Sequence, residues 1–439
     1  MRLLSRLTIP GGLVALQIVP VRAQQAPTGP TDSLRLGALH QQAIAGDPRQ
    51  RQFTLLEQQT QLRLRNLSAE RLPSITAEAQ AQYQSDVFSA PDQLKAAGFP
   101  SPSKDTYDSR VSVEESILDP TIGVRKKVER AQLATSEAEL RTALFGLRSE
   151  VNEAFFSSAL LAEQSRIIAA TVTDLEQQLQ QARVRVREGA ALPSDTAAIQ
   201  ATLLERRQDE AEVQAKRRAA LVRLTELVKQ PVSASEPVAL PDLTQATLAA
   251  QQGLDSLRNR PEYEQFARTR DLLVRQQDAL SADQLPRLSA FGHAGYGRPG
   301  LNPISTSFDS YFIAGVQVKW APWNWGSTGR ERQALALQRE IIATEEEAFT
   351  SRVNRDIQND LADIDRLDTA LTLDDQIVSL RERVMDETGI RFREGVVTAS
   401  EYVDRSTDVL QARLARATHR VEQVQARARL LTTLGLEIQ

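Results

Sequence analysis

Two short stretches decide the fold, because each is a copy of the other. Residues 186–195 read VREGAALPSD, and residues 392–401 read FREGVVTASE, at an offset of 206. Upstream, LPSITAEAQAQY at residues 72–83 matches LPRLSAFGHAGY at residues 285–296, at an offset of 213. The matches occur in the same order in both halves, so the sequence predicts two tandem copies of one unit.

The two copies set the expected boundaries. Residues 31–230 are the first structural repeat and residues 244–439 the second, separated by the proline-rich residues 231–243. Each copy has the same order of patterns, namely helix, two strands, long helix, turn and helix. The second strands, RVSVEESILD ending at Asp119 and GVQVKWAPWN ending at Asn324, correspond at an offset of 205.

The positions of the prolines predict very long helices. No proline lies between Pro120 and Pro193, and none follows Pro322. A proline inside a helix costs about 3 kcal/mol or more, so these gaps permit uninterrupted helices. The helical patterns at 123–188 and 328–394 place apolar residues three and four apart. At about 1.5 Å per residue each helix would span about 100 Å, so we expect it to fold back at a glycine turn and pair with the next helix as a coiled coil.

The strand patterns alternate apolar and polar residues. After Pro73, the odd-numbered positions 75–83 are Ile, Ala or Tyr, and the even-numbered positions are Thr, Glu or Gln. Strands of about 9–11 residues have the length that crosses a bilayer when tilted. A sheet with one face packed on a soluble core has the same pattern, so alternation by itself leaves both interpretations open.

Aromatic residues gather around these strands. Twelve of the 21 aromatics lie in residues 74–118 and 287–325. Rings near strand ends are typical of the aromatic girdles of a membrane barrel, and we assign to them Tyr83, Tyr107, Tyr296, Tyr311, Trp320, Trp323 and Trp325. Four strands are too few to close a barrel, since the smallest membrane barrels have about eight. The chain is therefore expected to form an oligomer.

The N-terminus and the composition narrow the class of protein. Residues 1–23 are typical of a secretory signal peptide, with Arg2 and Arg6 before an apolar stretch and no acidic residue before Asp32. The absence of cysteine excludes a disulfide framework, a thiolate zinc site and a lipidated N-terminal cysteine. A net charge of −4 gives no reason to expect nucleic acid as a partner.

No catalytic residue, metal site or cofactor is expected. The histidines His40, His293 and His419 are far apart in the sequence, and no His-Glu-x-x-His or phosphate-binding loop occurs. We therefore predict that the chain is not an enzyme.

The signal peptide, the tandem unit, the LP-x-(I/L) strand entry and the R-x-G-x-x-x-x-x-(D/E) turn together resemble the outer-membrane efflux protein family, the TolC-like exit ducts of Gram-negative bacteria. The resemblance implies a mainly α-helical protomer of long antiparallel helices and four β-strands. It implies a homotrimer whose twelve strands form a β-barrel in the outer membrane, continued by an α-helical barrel through the periplasm.

The resemblance also implies a function. The chain would be a passive exit duct of a tripartite efflux or type I secretion system, with a periplasmic adaptor (membrane fusion) protein, an inner-membrane pump and outer-membrane lipid as partners. A soluble periplasmic coiled-coil scaffold or pump adaptor, with long helices and no barrel, is the alternative.

By resemblance, the helical turns form the periplasmic entrance and the docking site of the adaptor. The residues concerned are Arg187 and Gly189 in the first repeat and Arg393 and Gly395 in the second. The glycines alone are explained by a left-handed helix end, whatever else the turns do.

The resemblance further places acidic rings facing the pore at Glu401, Asp404 and, in the first repeat, Asp195. Carboxylates repeated around a narrow entrance favour cations. For Glu401 a capping box that starts at Thr398 is the competing interpretation. Some family members brace the closed entrance with an aromatic hydroxyl and a basic residue where this chain has Phe392 and Val397, so we expect packing and Arg187 or Arg393 to hold it instead.

Overall fold

The computed structural model describes residues 34–88, 102–233, 238–252, 259–302 and 305–438, and the single positions 91, 93 and 96. The predicted signal peptide lies outside these ranges, as does part of the segment between the repeats. In order, the described elements are α1 (Leu36–Gly46), α2 (Gln50–Ala69), β1 (Ser74–Tyr83), β2 (Asp105–Leu118), α3 (Pro120–Arg187), α4 (Pro193–Val228), α5 (Thr244–Gln252), α6 (Pro261–Ala282), β3 (Arg287–Arg298), β4 (Asp309–Lys319), α7 (Ser327–Arg393) and α8 (Ala399–Thr433).

Two helices dominate the molecule: α3 has 68 residues and α7 has 67. Helix α3 begins where the Asp119 carboxylate accepts the N–H of Thr121 at 2.8 Å, with Pro120 at the first helical position, where no N–H is needed. Helix α3 packs along α4, and α7 packs along α8. The pairs are antiparallel, because each is joined by a short turn. The predicted long helical hairpins are confirmed.

The four strands form one antiparallel sheet in the order β1-β2-β3-β4. Strand β2 of the first repeat pairs with β3 of the second, so the sheet is continuous across the repeats. Its register places the alternating residues on two different faces. Ala77, Val111, Ala294 and Phe312 are aligned across the four strands on one face.

The opposite face of the sheet is polar on the first-repeat strands. There Glu78 faces Arg110, and the guanidinium donates to the carboxylate at 2.5 Å. We call the two sides the apolar face and the polar face. Outward-facing side chains on the apolar face are exposed in the single chain, including Ile75 at 72% and Phe312 at 80%. Within the described residues, no core packs on the apolar face of the sheet.

The main buried cluster lies where the two repeats meet. It contains Phe155 and Phe156 of α3, Leu224 of α4, Leu367 of α7 and Leu431 of α8. Burial of such side chains is worth about 1.5–3 kcal/mol each, so this region is the stable middle of the protomer.

The segment between the repeats joins this cluster. Val238 and Leu240 pack against it, and Val238 makes a parallel bridge with Leu34. Val238 and Leu240 of this segment are therefore anchored against the main buried cluster.

A buried polar chain crosses the same region. The Asn152 amide donates to the Thr432 hydroxyl at 3.1 Å, and Thr432 donates to the Ala428 carbonyl at 2.9 Å. Since Asn152 gives its N–H to Thr432, its oxygen accepts from Nε2 of His40, 2.7 Å away. One network thus links α1, α3 and α8.

The two repeats share a turn around Pro48 and Pro261, in which the acidic and basic residues are exchanged. In the first repeat the Asp47 carboxylate accepts the backbone N–H of Arg49 at 2.8 Å and its Nε at 2.9 Å. In the second, Nε of Arg260 donates to Glu262 at 3.1 Å. The repeats therefore conserve an ion pair around Pro48 and Pro261 while exchanging its acid and base.

Among the described residues, no helix combines the length and the apolar character needed to cross a bilayer. The prediction of a mainly helical chain with four strands is confirmed at the level of the protomer.

Candidate functional site at the helical turns

The turn between α3 and α4 is a glycine-ended helix cap. Gly189 has φ +74°, the left-handed region that glycine tolerates best. Its N–H donates to the Val186 carbonyl at 3.1 Å, and the N–H of Ala190 donates to the Arg185 carbonyl at 2.8 Å. This pair of bonds defines a Schellman motif, which satisfies the last carbonyls of α3.

The turn between α7 and α8 repeats the motif. Gly395 has φ +77°, its N–H donates to Phe392 at 3.1 Å, and the N–H of Val396 donates to Arg391 at 2.9 Å. Gly189, Gly395 and the neighbouring Arg187 and Arg393 are all exposed. The two turns are therefore matching, solvent-facing projections, although their role in docking stays a prediction.

Arg185 ties the first turn to the second. Its Nη1 donates to the Phe392 carbonyl at 2.6 Å, and its guanidinium lies 5.7 Å from the centroid of the Phe392 ring. The guanidinium thus satisfies a carbonyl at the end of α7 as it stacks on the ring. Within the protomer, Arg185 braces the two turns, and the expectation that Arg187 or Arg393 helps to hold the closed entrance stays a prediction.

Asp195 joins the starts of two helices. Its carboxylate accepts the N–H of Leu192 at 3.1 Å, at the start of α4, and the N–H of Ala399 at 3.3 Å, at the start of α8. A carboxylate at a helix N-terminus is favoured by the helix dipole and the free N–H groups. Asp195 thus braces the two repeats, and its place in a pore ring stays a prediction.

Tyr402 makes the third link between the repeats. It is 2% exposed, lies on α8 and stacks on Phe392, with ring centroids 5.1 Å apart. Its hydroxyl donates to the Asp174 carboxylate of α3 at 3.0 Å. Burial, and then the neighbouring Asp174 charge, raise the pKa of Tyr402, so the phenol stays protonated and donates.

Glu401 and Asp404 lie on the exposed side of α8. Thr398 caps the helix by accepting the N–H of Glu401 at 3.3 Å. Within the described part of the chain, neither carboxylate has an ion-pair or hydrogen-bond partner, so the reciprocal half of the capping box is not formed. Both carboxylates are therefore free to meet solvent or ions.

The predicted girdle residues fall into two groups. Tyr83, Tyr107 and Tyr296 lie at one end of the sheet, and Trp320, Trp323 and Trp325 lie at the other, beside the start of α7; all six are exposed.

Tyr311 is the exception. The register pairs it with Gly295 on the polar face, where its hydroxyl donates to Asp108 at 2.5 Å. It does not share the face of Tyr83, Tyr107 and Tyr296.

Sequence reasoning missed Arg185, Asp174 and Tyr402. Arg185 lies one position before the quoted repeat, where Arg391 is its counterpart at the same offset. Nothing in a single sequence pairs Tyr402 with Asp174, because 228 residues separate them. The contact exists only once the two helical hairpins are packed together.

Comparison with known proteins fits this geometry. A profile of the outer membrane efflux protein family matches residues 39–228 and 254–436. The pyoverdine export outer membrane protein OpmQ of Pseudomonas aeruginosa PAO1 is 24% identical over 318 residues. The match covers 69% of this chain and 64% of OpmQ, so the chain spans slightly less than two thirds of that relative.

Solved structures share the fold. The outer-membrane channel OprN superposes with a TM-score of 0.67 at 19% identity, covering 91% of this chain and 89% of OprN. VceC of Vibrio cholerae gives 0.66 at 14% identity, with 92% and 97% coverage. The MtrE outer membrane channel of Neisseria gonorrhoeae, in its open state, gives 0.65 at 17%, with 92% and 90% coverage.

The family match extends over parts of both repeats and well beyond half of the chain. It confirms the resemblance seen in the sequence, the outer-membrane location and the expectation that the protein is not an enzyme, and it does not favour the soluble scaffold or adaptor. The chain belongs to the outer membrane efflux protein family.

Proposed function

We propose that this protein is the exit duct of a tripartite efflux or type I secretion system. Three copies close their sheets into a twelve-stranded β-barrel in the outer membrane, and their helices continue it as an α-helical barrel through the periplasm. Cargo handed over by an inner-membrane pump and a periplasmic adaptor passes through without chemistry. The observation that carries the proposal is a two-faced sheet with open edges.

The open edges belong to different repeats. Within the described residues, the outer edges of β1 and β4 pair with no other strand. Unpaired edges are a liability that a closed barrel removes. Because β1 and β4 run in opposite directions, β4 of one copy can pair antiparallel with β1 of the next, and the ring closes head to tail.

The helices support the same arrangement. Helix α7 carries a row of half-exposed apolar residues at coiled-coil spacing, Leu373, Ile377, Leu380 and Val384, each 44–54% exposed. On the helices of the first repeat, Leu55 of α2 and Leu204 of α4 are 57% and 56% exposed. Exposed apolar side chains of this kind need a partner surface, and the first-repeat helices of a neighbouring copy can cover the row on α7.

At the entrance, Glu401 and Asp404 of three copies form acidic rings. Their exposure and their lack of a partner among the described residues support this role. Three inter-repeat links, made by Arg185, Asp195 and Tyr402, hold the tip of each protomer together. The exposed turns around Gly189 and Gly395 receive the adaptor.

The division of the chain follows the same proposal. Residues 1–23 direct export and are removed, and residues 31–230 and 244–439 act as the two structural repeats about the segment 231–243. The family match also falls into two segments, on either side of the break at 229–253.

Current through purified protein in a planar bilayer tests the proposal. We expect a stable channel that prefers cations, and Asp404→Asn with Glu401→Gln should reduce that preference by moving the reversal potential in a salt gradient towards zero. Glu226→Gln is the control, since that exposed carboxylate lies near the other end of α4, away from the turns. Absence of any conductance, with protein properly inserted, contradicts the proposed duct.

A further inference from the structure

An aromatic surface interrupts the polar face of the sheet. The register places Phe291 and His293 of β3 and Tyr311 of β4 on that face. The Phe291 and His293 ring centroids are 5.1 Å apart, and Nδ1 of His293 lies 2.8 Å from the Ser112 hydroxyl. We call Phe291, His293 and Tyr311 the ring strip.

Glycines keep two of the rings flat on the sheet. Gly315 is the register partner of Phe291, and a Cβ there would lie 2.9 Å from the Phe291 ring. Gly295 is the partner of Tyr311, and a Cβ there would lie 2.6 Å from the Tyr311 hydroxyl oxygen. Since neither position has room for a side chain, each ring covers its glycine and presents its other side to the space above the sheet.

Negative charge surrounds the ring strip. The Asp108 carboxylate accepts a hydrogen bond from the Tyr311 hydroxyl, and the Glu78 carboxylate accepts one from Arg110. Nη1 of Arg110 also lies 3.9 Å from the Asp108 carboxylate. Glu114 lies opposite Phe291 in the register. In the described strands, the middle of the polar face thus holds three carboxylates and one guanidinium.

A shallow cavity opens at the ring strip. Its volume is about 280 Å³, and it lies beside His293 and Tyr311, while Phe291 lies outside its lining. Asp108, Arg110 and Arg298 also line it, and the guanidinium of Arg298 is ion-paired with Asp105. A cavity of this size suits one small ring system more than an extended molecule.

We propose that the ring strip is a stacking site for planar aromatic cations on their way through the duct. Ring faces attract cations and stack with other rings, and the excess carboxylate charge adds a preference for positive molecules. The inference rests on the proposed barrel, which makes the polar face the lining of the channel.

Fluorescence anisotropy of ethidium, a planar aromatic cation, with the purified oligomer in detergent tests the site. We expect saturable binding that Phe291→Thr with Tyr311→Thr weakens about tenfold. The control pair is Phe308→Thr with Phe312→Thr, which removes two rings that lie away from the polar face and should change the affinity less than about twofold. N-phenyl-1-naphthylamine, a neutral aromatic probe, should bind the ring strip more weakly than ethidium does.

A second variant separates the loss of a stacking surface from a general loss of folding. Gly295→Ala keeps every ring but pushes Tyr311 off the sheet, so it should also weaken ethidium binding if the flat ring matters. Oligomer formation and conductance are measured on the same samples. Equal losses in the two ring pairs, or equal binding of the neutral probe, would overturn the stacking site.

Conductance separates this inference from the duct itself. Wild-type protein that conducts ions but shows no saturable ethidium binding overturns the ring strip and leaves the duct standing. Protein that binds ethidium at the ring strip but never conducts supports the site and contradicts the duct.

Discussion

Tyr402 shows how one side chain connects the two repeats at the tip. Its ring packs on Phe392, and its hydroxyl bonds Asp174, so a single residue of α8 touches both α7 and α3. A buried donor left without its acceptor costs about 1–3 kcal/mol, so the pair is expected to close as a unit. The first turns of α8 should therefore be more stable than their place beside an exposed loop suggests.

Replacing Tyr402 with phenylalanine tests this link. Tyr402→Phe keeps the ring but removes the bond to Asp174, and a loss of about 1 kcal/mol should speed amide exchange in the first turns of α8 about fivefold. Hydrogen exchange followed by mass spectrometry measures it. Tyr263→Phe is the matched control, because that hydroxyl also bonds a side chain, Thr350, at 3.0 Å. Unchanged exchange near Tyr402 would show that the bond to Asp174 does not stabilise the start of α8.

His40 predicts a dependence of stability on pH. Burial lowers the pKa of His40 below its ordinary 6.5, so the native protein holds it neutral. The unfolded chain takes up this proton below pH 6.5 and the native chain does not, so stability should be full above that pH and fall below it. The unfolding free energy should fall by at most about 1.4 kcal/mol per pH unit, until the pH reaches the lowered pKa of His40 in the native protein.

His40→Gln is the variant that checks the pH dependence. Glutamine can donate to Asn152 as the imidazole does but does not titrate, so the difference in thermal midpoint between pH 7.5 and pH 5.5 should shrink relative to the natural protein. Melting followed by circular dichroism gives both midpoints. Equal pH dependence in the two proteins would show that His40 is not the group responsible.

Among the elements, the two glycine-ended turns set where the long helices stop. Gly189→Ala and Gly395→Ala force an L-residue into the left-handed region and should each cost about 1–2 kcal/mol in unfolding free energy. Gly123→Ala is the control, because Gly123 lies inside α3 with nothing near its Cβ position. It should instead stabilise the protein by about 0.5–1 kcal/mol.

Denaturant titration of the three variants measures these changes in unfolding free energy. A loss for Gly123→Ala as large as for the two turn variants would mean that the turns have no special requirement for glycine.

Local signals explain why so much of the fold was predictable. Pro120 and Gly189 bound α3, and the observed ends, Pro120 and Arg187, lie within three residues of the predicted range 123–188. Strand β4 proved harder, because it stops at Lys319 while the apolar alternation runs on to Trp320. A pattern records which face a residue prefers but not where hydrogen bonding to the next strand ends.

The candidate site was less predictable than the elements that build it. The turns follow from a local repeat, but the link from Asp195 to Ala399 spans 204 residues. The face of the sheet on which Tyr311 lies was not predictable for a similar reason: it depends on the pairing of Tyr311 with Gly295 in another strand. Contacts of this kind arise from packing and register, which one sequence does not contain.

At the scale of the whole molecule, the exposed row on α7 should hold neighbouring copies together. Ile377→Asp puts a charge where an apolar contact is proposed and should release monomers, with a cost of about 2 kcal/mol or more per interface. Ser379→Asp is the control, since it adds the same charge to an exposed position on a different side of α7. Native mass spectrometry reports the oligomer, and an intact trimer in Ile377→Asp would contradict the proposed contact.

Cross-linking of the open sheet edges tests the central claim most directly. The natural chain has no cysteine, so one cysteine at Ala77 of β1 and one on β4, moved in turn through Ser310, Phe312 and Ala314, are the only reactive thiols. With a short bismaleimide in outer membranes, closure of three copies predicts that at least one pair gives covalent dimers and trimers and nothing larger. Only monomers at every position, or a ladder that continues beyond three chains, would contradict the closed trimeric barrel.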